Sequence, residues 1–318
     1  MTTRGRIGLA LGGGGARGLA HLGVIKVLEE AQIPVDCVAG TSIGALIGAI
    51  YALEPNSQAL SRRCMHFLRS PAYQKAPFRY LISRNKSESD RFWAQAASVI
   101  KQRFLVNYAQ SRISVIGVKR VKSFFKFFLA GHSFENLQLP FIASSVDLNA
   151  GEEVFHVTGE LVPAVMASCA IPGFMPPVAL HGKLLVDGMV LNPVPVNPAR
   201  FLGADLVIAV DVGKDFPKAP VIENVVDVFM RTQQITAARQ NQIQLAEADL
   251  AIHPNVSSFH WAEFDAYEEI IAAGELAARQ VLPVLLELVR SSRRTKKKDS
   301  MNSFPKNSNR FGHHISVV

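Results

Sequence analysis

The chain has 318 residues, 48% of them apolar and 8% aromatic, and carries a formal net charge of +8, which is enough chain to bury a full core. Cys37, Cys64 and Cys169 are odd in number, far apart and without a CxxC or His-spaced partner, which argues against both a disulfide framework and a zinc site and favours a reducing, cytoplasmic setting. The longest apolar run, Ile43–Leu53, is about half the roughly 20 residues that cross a bilayer, and the opening residues lack a secretion signal.

The positive charge is unevenly spread. Residues 62–126 hold 15 Lys/Arg against two acids, residues 290–318 hold eight against one, and the remainder holds 11 against 23. The body of the protein is acidic, and the excess of cations lies in one internal segment and one tail.

In chain order, a predicted strand at Ile7–Leu11 is broken by glycines at residues 12–15, after which Leu19, Leu22, Gly23, Val27 and Leu28 recur at near-helical spacing. Pro34 ends that helix. A second apolar run, residues 35–39, leads into Gly40-Thr41-Ser42-Ile43-Gly44 and an Ala/Leu/Ile-rich helix. Strand, tight turn and helix, written twice in fifty residues, specify an α/β fold with a parallel sheet. Residues 61–139 turn basic, aromatic and weakly helical, and read as an insertion or cap. Strands are expected again at 141–146, 154–157 and 184–186, the last entering Asp187-Gly188, with a helix at 160–170 between. A strand at 206–210, a long helix at 221–246, a short strand at 250–253 and a closing helix at 267–289 follow. Residues 291–318 are polar, basic and aperiodic and read as a disordered tail, leaving 5–290 as the folded domain.

Three motifs carry chemistry. Gly40-Thr41-Ser42-Ile43-Gly44 matches GxSxG between a strand and a helix, where a sharp turn would lift the serine hydroxyl clear of the backbone. The helix from Ile43 would aim its N-terminal amides at the same place. A glycine-rich turn with an incidental serine gives the same string. The run Gly12-Gly13-Gly14-Gly15-Ala16-Arg17-Gly18 is costly in chain entropy and suits bare amides crowding an anion, with Arg17 orienting the loop or adding positive field. Gly13, Gly15 and Gly18 also satisfy the dinucleotide fingerprint, with Asp36 about 20 residues beyond. Asp187-Gly188 at a strand end is by itself an ordinary turn, but a carboxylate there could take the proton of an elbow serine. Nine histidines are scattered, and none sits in a recognisable active-site turn downstream of Asp187. His253 and His260 remain open, with a Ser–Asp dyad favoured over a triad.

Gly13-Gly14-Gly15-Ala16-Arg17-Gly18, Gly40-Thr41-Ser42-Ile43-Gly44 and Asp187-Gly188, in this order, resemble the patatin-like phospholipase family, bacterial members similar to the patatin domain of neuropathy target esterase above all. Residues 166–177 resemble the family's stretch before its catalytic aspartate. The resemblance implies a three-layer α/β/α fold with a mainly parallel central sheet. It further implies Ser42 as nucleophile, Asp187 as base, an oxyanion hole from Gly13, Gly14 and Gly15, a fatty-acyl ester as substrate, and neither metal nor cofactor. Arg17, Gly18, Gly40, Gly44 and Gly188 support the motifs. Met189 departs from the small residue the family usually carries after Asp-Gly.

Within the basic insertion, residues 119–129 mix cations with four phenylalanines. As a helix the segment could lie on an anionic membrane with its rings in the acyl boundary, making the protein peripheral at the inner face. The plainer reading is that the rings complete the core. No nucleic-acid motif accompanies the patch, so nucleic acid is not an expected partner. A nucleotide-binding protein built on Gly13, Gly15 and Gly18, and a non-catalytic membrane-associated scaffold, are the competing readings.

Overall fold

A computed structural model describes residues 4–74, 114, 116–213, 222, 225–299 and 315–318. These residues hold nine strands: β1 (Ile7–Leu11), β2 (Cys37–Thr41), β3 (Phe141–Asp147), β4 (Glu152–His156), β5 (Val178–Leu180), β6 (Lys183–Asp187), β7 (Leu206–Val210), β8 (Leu250–Ile252) and β9 (Ile315–Val317). They form one sheet in the order β5-β6-β3-β2-β1-β7-β8, with β4 beside β3 and β9 beside β4. Five of the eight pairings are parallel; the antiparallel ones are β3–β4, β3–β6 and β5–β6.

Residue size divides the two faces at the period of a strand. Ile7, Leu9 and Leu11 of β1 and Leu206, Ile208 and Val210 of β7 enter one core, whereas Ala10, Val207 and Ala209 enter another. The large side chains meet α1 (Ala20–Glu30), α2 (Ile43–Leu53), α3 (Ser57–Leu68), the one-turn α4 (Pro71–Gln74) and α5 (Val118–Leu129). Across the sheet, the small side chains let the short α7 (Val196–Phe201) pack close through Val196 and Ala199. Between these in sequence lies α6 (Leu161–Ser168), and α8 (Val225–Ala246) and α9 (Tyr267–Asp299) follow, α9 packing along α1. The result is the expected three-layer α/β/α arrangement around a mainly parallel sheet.

The register on β3 positions the site. Ala143 is flanked by Gly40 of β2 and His156 of β4, and Val146 by Glu153 of β4 and Val186 of β6. Strand β4 therefore occupies one side of β3, and β2 and β6 share the other. β2 runs parallel to β3 and ends with Thr41 opposite Ser144; β6 runs antiparallel and ends with Asp187 opposite Ser145. The two strands meet tip to tip, so the residue after Thr41 faces Asp187.

Several expectations change in detail. The expected tail does not stay apart from the fold throughout: α9 runs on to Asp299, and Ile315–Val317 lies parallel to β4 as β9. The reason is an edge: β4 offers unpaired backbone groups beyond β3, and Val318 both donates to Phe155 and accepts from Val157. Of the basic insertion read at 61–139, residues 75–113 and 115 lie outside the described residues, as do 300–314 of the tail. In α5, Phe125 and Phe128 are buried, Phe124 is half-buried and Phe127 is exposed, so the plain core reading holds for two of the four rings. None of the described helices is long and apolar enough to cross a membrane.

α2 begins hard against the end of β1, where a Cβ on Gly44 would overlap the Leu11 carbonyl. Gly44→Ala is expected to cost about 1–3 kcal/mol by overpacking and to lower the thermal midpoint by about 2–5 °C, read by circular dichroism. An unchanged midpoint would show slack at this contact.

Candidate active site

Ser42 stands between β2 and α2 with φ +56° and ψ −126°, a left-handed backbone that L-residues avoid and that costs on the order of 1–3 kcal/mol. The strain is held from both sides. The Ser42 carbonyl accepts from Ala45 and Leu46 in the first turn of α2, and the Thr41 hydroxyl donates to the Asn192 carbonyl at 2.8 Å. The Ser42 N–H donates to the Ser168 hydroxyl at 3.0 Å. Two residues on, the Ala170 carbonyl accepts from the Asp187 N–H at 3.0 Å. The C-terminal end of α6 and the residues that follow it thus grip both strand ends at once.

Asp187 is buried at 1% exposure. One carboxyl oxygen, Oδ1, accepts from the Met189 N–H at 2.9 Å; the other, Oδ2, has no hydrogen-bond partner among the described residues. Burial pushes its pKa up to about 7, against the smaller opposing pulls of the Met189 amide and the Ser42 hydroxyl. That hydroxyl is close enough to favour the carboxylate, although no hydrogen bond of normal geometry joins it to Oδ2. Between Ser168 and Ala170, burial and the Asp187 charge hold the Cys169 thiol well above its ordinary range, so it is a neutral neighbour.

The glycine run lies alongside. A Cβ on Gly13 would crowd the Ser42 Cβ and strike Met189 Cγ and Sδ, so the bare Gly13 lets the Met189 side chain pack beside the serine. Gly12 and Gly13 donate their N–H groups to Val210 and Pro193, each at 3.0 Å. This corrects the expectation for Gly13, whose amide is committed to Pro193 and is not free for an oxyanion. For Gly14 and Gly15 no such acceptor stands among the described residues. Gly15 has φ +62°, and a Cβ there would overlap the Trp261 carbonyl, which accepts from Ala16. Arg17 is buried and donates from Nε to the Gly14 carbonyl at 3.2 Å, which ties the loop down. Gly18 packs bare against Ile43, Gly40 against the first turn of α2, and Gly188 against Ser144.

Asp36 and three of the histidines are engaged elsewhere in the fold. Asp36, the acid needed for a ribose, accepts from the Ile7 N–H at 2.7 Å and pairs with Arg4. His21 is buried, its pKa lowered to about 4 by desolvation, and bonds the Gly12 carbonyl at 2.8 Å through Nε2. His156 is held likewise by Ser145 at 2.8 Å, and His253 lies 3.6 Å from Asp211. Ser168, Trp261 and the carbonyls of Asn192 and Pro193 were not singled out by sequence. Ser168 lies within the 166–177 stretch and Asn192-Pro193 just past Asp187, so a motif search could have reached them; Trp261 left no local signal.

The family model for patatin-like phospholipases matches residues 9–200, and the chain belongs to that family. Among curated relatives, Lysophospholipase NTE1 of Coccidioides immitis is 35% identical over 207 residues, covering 65% of this chain and 11% of that protein. Patatin-like phospholipase domain-containing protein 6 of Mus musculus is 36% identical over 215 residues, covering 67% of this chain and 14% of that protein. The chain therefore spans a small part of the length of these relatives. Among solved structures, VipD from Legionella pneumophila is 14% identical with a TM-score of 0.47, covering 88% of this chain and 67% of that one.

Asp187 couples the site to stability. Its folded pKa is raised from 3.8 to about 7. The stability it contributes is fully present below the unfolded value and is lost as pH rises through about 7. Asp187→Asn is thus expected to raise the thermal midpoint at pH 8, with the gain shrinking as pH falls toward 4. Calorimetry across that range checks it, and a pH-independent difference would contradict the buried-acid assignment.

Proposed function

We propose that this chain is a serine acyl hydrolase that cleaves a fatty-acyl ester of a lipid through a Ser42–Asp187 dyad. The observation that carries the reading is the abutment of β2 and β6 on one side of β3, which brings the Ser42 turn against a buried carboxylate. Asp187 takes the Ser42 proton as Oγ attacks the acyl carbonyl. The tetrahedral oxyanion is received by the Gly14 and Gly15 amides, aided by the N-terminal end of α2. Asp187 returns the proton to the leaving alcohol, leaving Ser42 acylated; it then draws a proton from the water that attacks the acyl-enzyme and passes it to Ser42 Oγ as the fatty acid leaves. The relatives named lysophospholipase favour a phospholipid or lysophospholipid ester as the substrate. Residues 5–290 are the catalytic unit, interrupted by the basic segment 61–139.

An elevated Asp187 pKa requires activity to rise with pH, because the base must be ionised: kcat/KM for a soluble ester is expected to climb through an inflection near pH 7. Ser42→Ala should lose at least about a thousandfold in turnover. A fluorophosphonate ester should label the Ser42 peptide of the wild type. Saturable NAD binding without labelling would favour the nucleotide reading, and labelling elsewhere would remove Ser42 from its role.

The membrane partner rests on α5. Lys119, Arg120, Lys122, Lys126 and Phe127 stand on its exposed face, the arrangement that seats a helix on anionic head groups. Binding to phosphatidylserine-containing vesicles is expected to weaken with salt and to fall when those four cations are changed to Gln. Equal sedimentation of variant and wild type would remove α5 from membrane contact.

A further inference from the structure

Two apolar cavities lie end to end along α2. The first, about 40 Å³, opens on Ser42 and Gly15 and is walled by Ile43, Leu46, Phe124 and Trp261. The second, about 30 Å³, shares Ile43, Leu46 and Phe124 with the first and continues past Ile47 and Ile50 to Cys64 and Leu68. Ile43, Leu46, Ile47 and Ile50 recur at i, i+3, i+4 and i+7, one stripe of α2 that starts beside the nucleophile. From Ser42 to Ile50 that stripe climbs about 12 Å, on the order of ten methylenes of extended chain. Among the described residues, the only side-chain heteroatom lining the second cavity is the Cys64 sulfur, and burial pushes that thiol up to about 12, so it stays neutral.

We propose that the two cavities are one acyl-chain channel, that its occupant is a single unbranched hydrocarbon tail of the substrate, and that Phe124 divides it. The inference rests on the hydrolase reading above and adds what sets chain length. As they stand, the cavities are too narrow for a chain, so the dividing ring must move. Phe124 has somewhere to go: it also borders an open cavity of about 480 Å³ on the basic surface, with Lys119, Arg120 and Phe127. It is half-buried on α5, unlike the buried Phe125 and Phe128 beside it. With the ring turned outward, the tail passes Leu46, follows Ile47 and Ile50, and stops at Cys64 and Leu68 on α3. Leu68 and Phe124 are specificity-determining residues, and neither touches the reacting ester carbon.

The test is the ratio of kcat/KM for p-nitrophenyl decanoate over p-nitrophenyl butyrate in the full chain. Leu68→Phe fills the far end and is expected to lower the ratio at least about tenfold, since each methylene denied its site costs specificity. Phe124→Ala and Leu68→Ala join or lengthen the cavities and are expected to raise it. Opposite signs for filling and emptying cannot come from destabilisation alone, and the two Ala variants test the channel even if Leu68→Phe fails to fold. Ratios within about twofold of wild type in the variants, with Ser42-dependent butyrate turnover retained, overturn the channel and leave the hydrolase standing. Absence of Ser42-dependent turnover of either ester by the wild type overturns the hydrolase reading, and the channel with it.

Discussion

The site depends on one side of β3. Parallel pairing carries β2 up that side to Thr41, and antiparallel pairing brings β6 down it to Asp187, with Ser144 and Ser145 as the adjoining partners. Backbone hydrogen bonds set this register, so the separation of the two catalytic candidates is governed by the sheet rather than by flexible side chains. β4, on the opposite side, completes the pairing of β3. A one-residue slip of β6 would turn Asp187 to the other face of the sheet. The end of α6 and the residues that follow it guard against that slip, because Ser168 binds the Ser42 amide and Ala170 binds the Asp187 amide.

The chemistry proposed for this junction is bought with stability at two places. Ser42 keeps a left-handed backbone although it is not glycine, and Asp187 keeps a carboxyl oxygen buried without a partner among the described residues. Both are unfavourable taken singly. Ser42, itself buried, lines an apolar cavity, and burial raises the pKa of Asp187 toward neutral pH. The large-residue core beneath α1, α2 and α9 supplies the packing that holds such features in place.

The glycine loop illustrates how a motif and its geometry differ. Gly13 looks like an oxyanion donor in sequence, yet its amide bonds Pro193 and its open side admits Met189 beside Ser42. The same bareness serves a different end at Gly15, where the left-handed turn lets the Trp261 carbonyl approach Ala16. Trp261 also walls the cavity at Ser42, so the loop and the apolar pocket share one anchor. The acid that the dinucleotide fingerprint would call on, Asp36, is engaged by Arg4 and the start of β1.

Sequence by itself determined the local units. The strand at Ile7–Leu11, the helix starting at Ile43 and the strand entering Asp187 are legible because apolar periodicity and glycine or proline breaks are short-range properties. The motifs named Ser42 and Asp187 through their resemblance to a family, without geometry. What periodicity could not reveal are short or edge elements, such as β5, α7 and β9, whose formation depends on a neighbour's unpaired edge or small-residue face. Nor could it reveal which glycine amides are already committed, that Phe124 and Phe127 differ in burial from Phe125 and Phe128, or that Trp261 reaches the loop. Those facts belong to tertiary structure, because each is a contact between residues far apart in the chain, and only the packed sheet decides which distant groups meet.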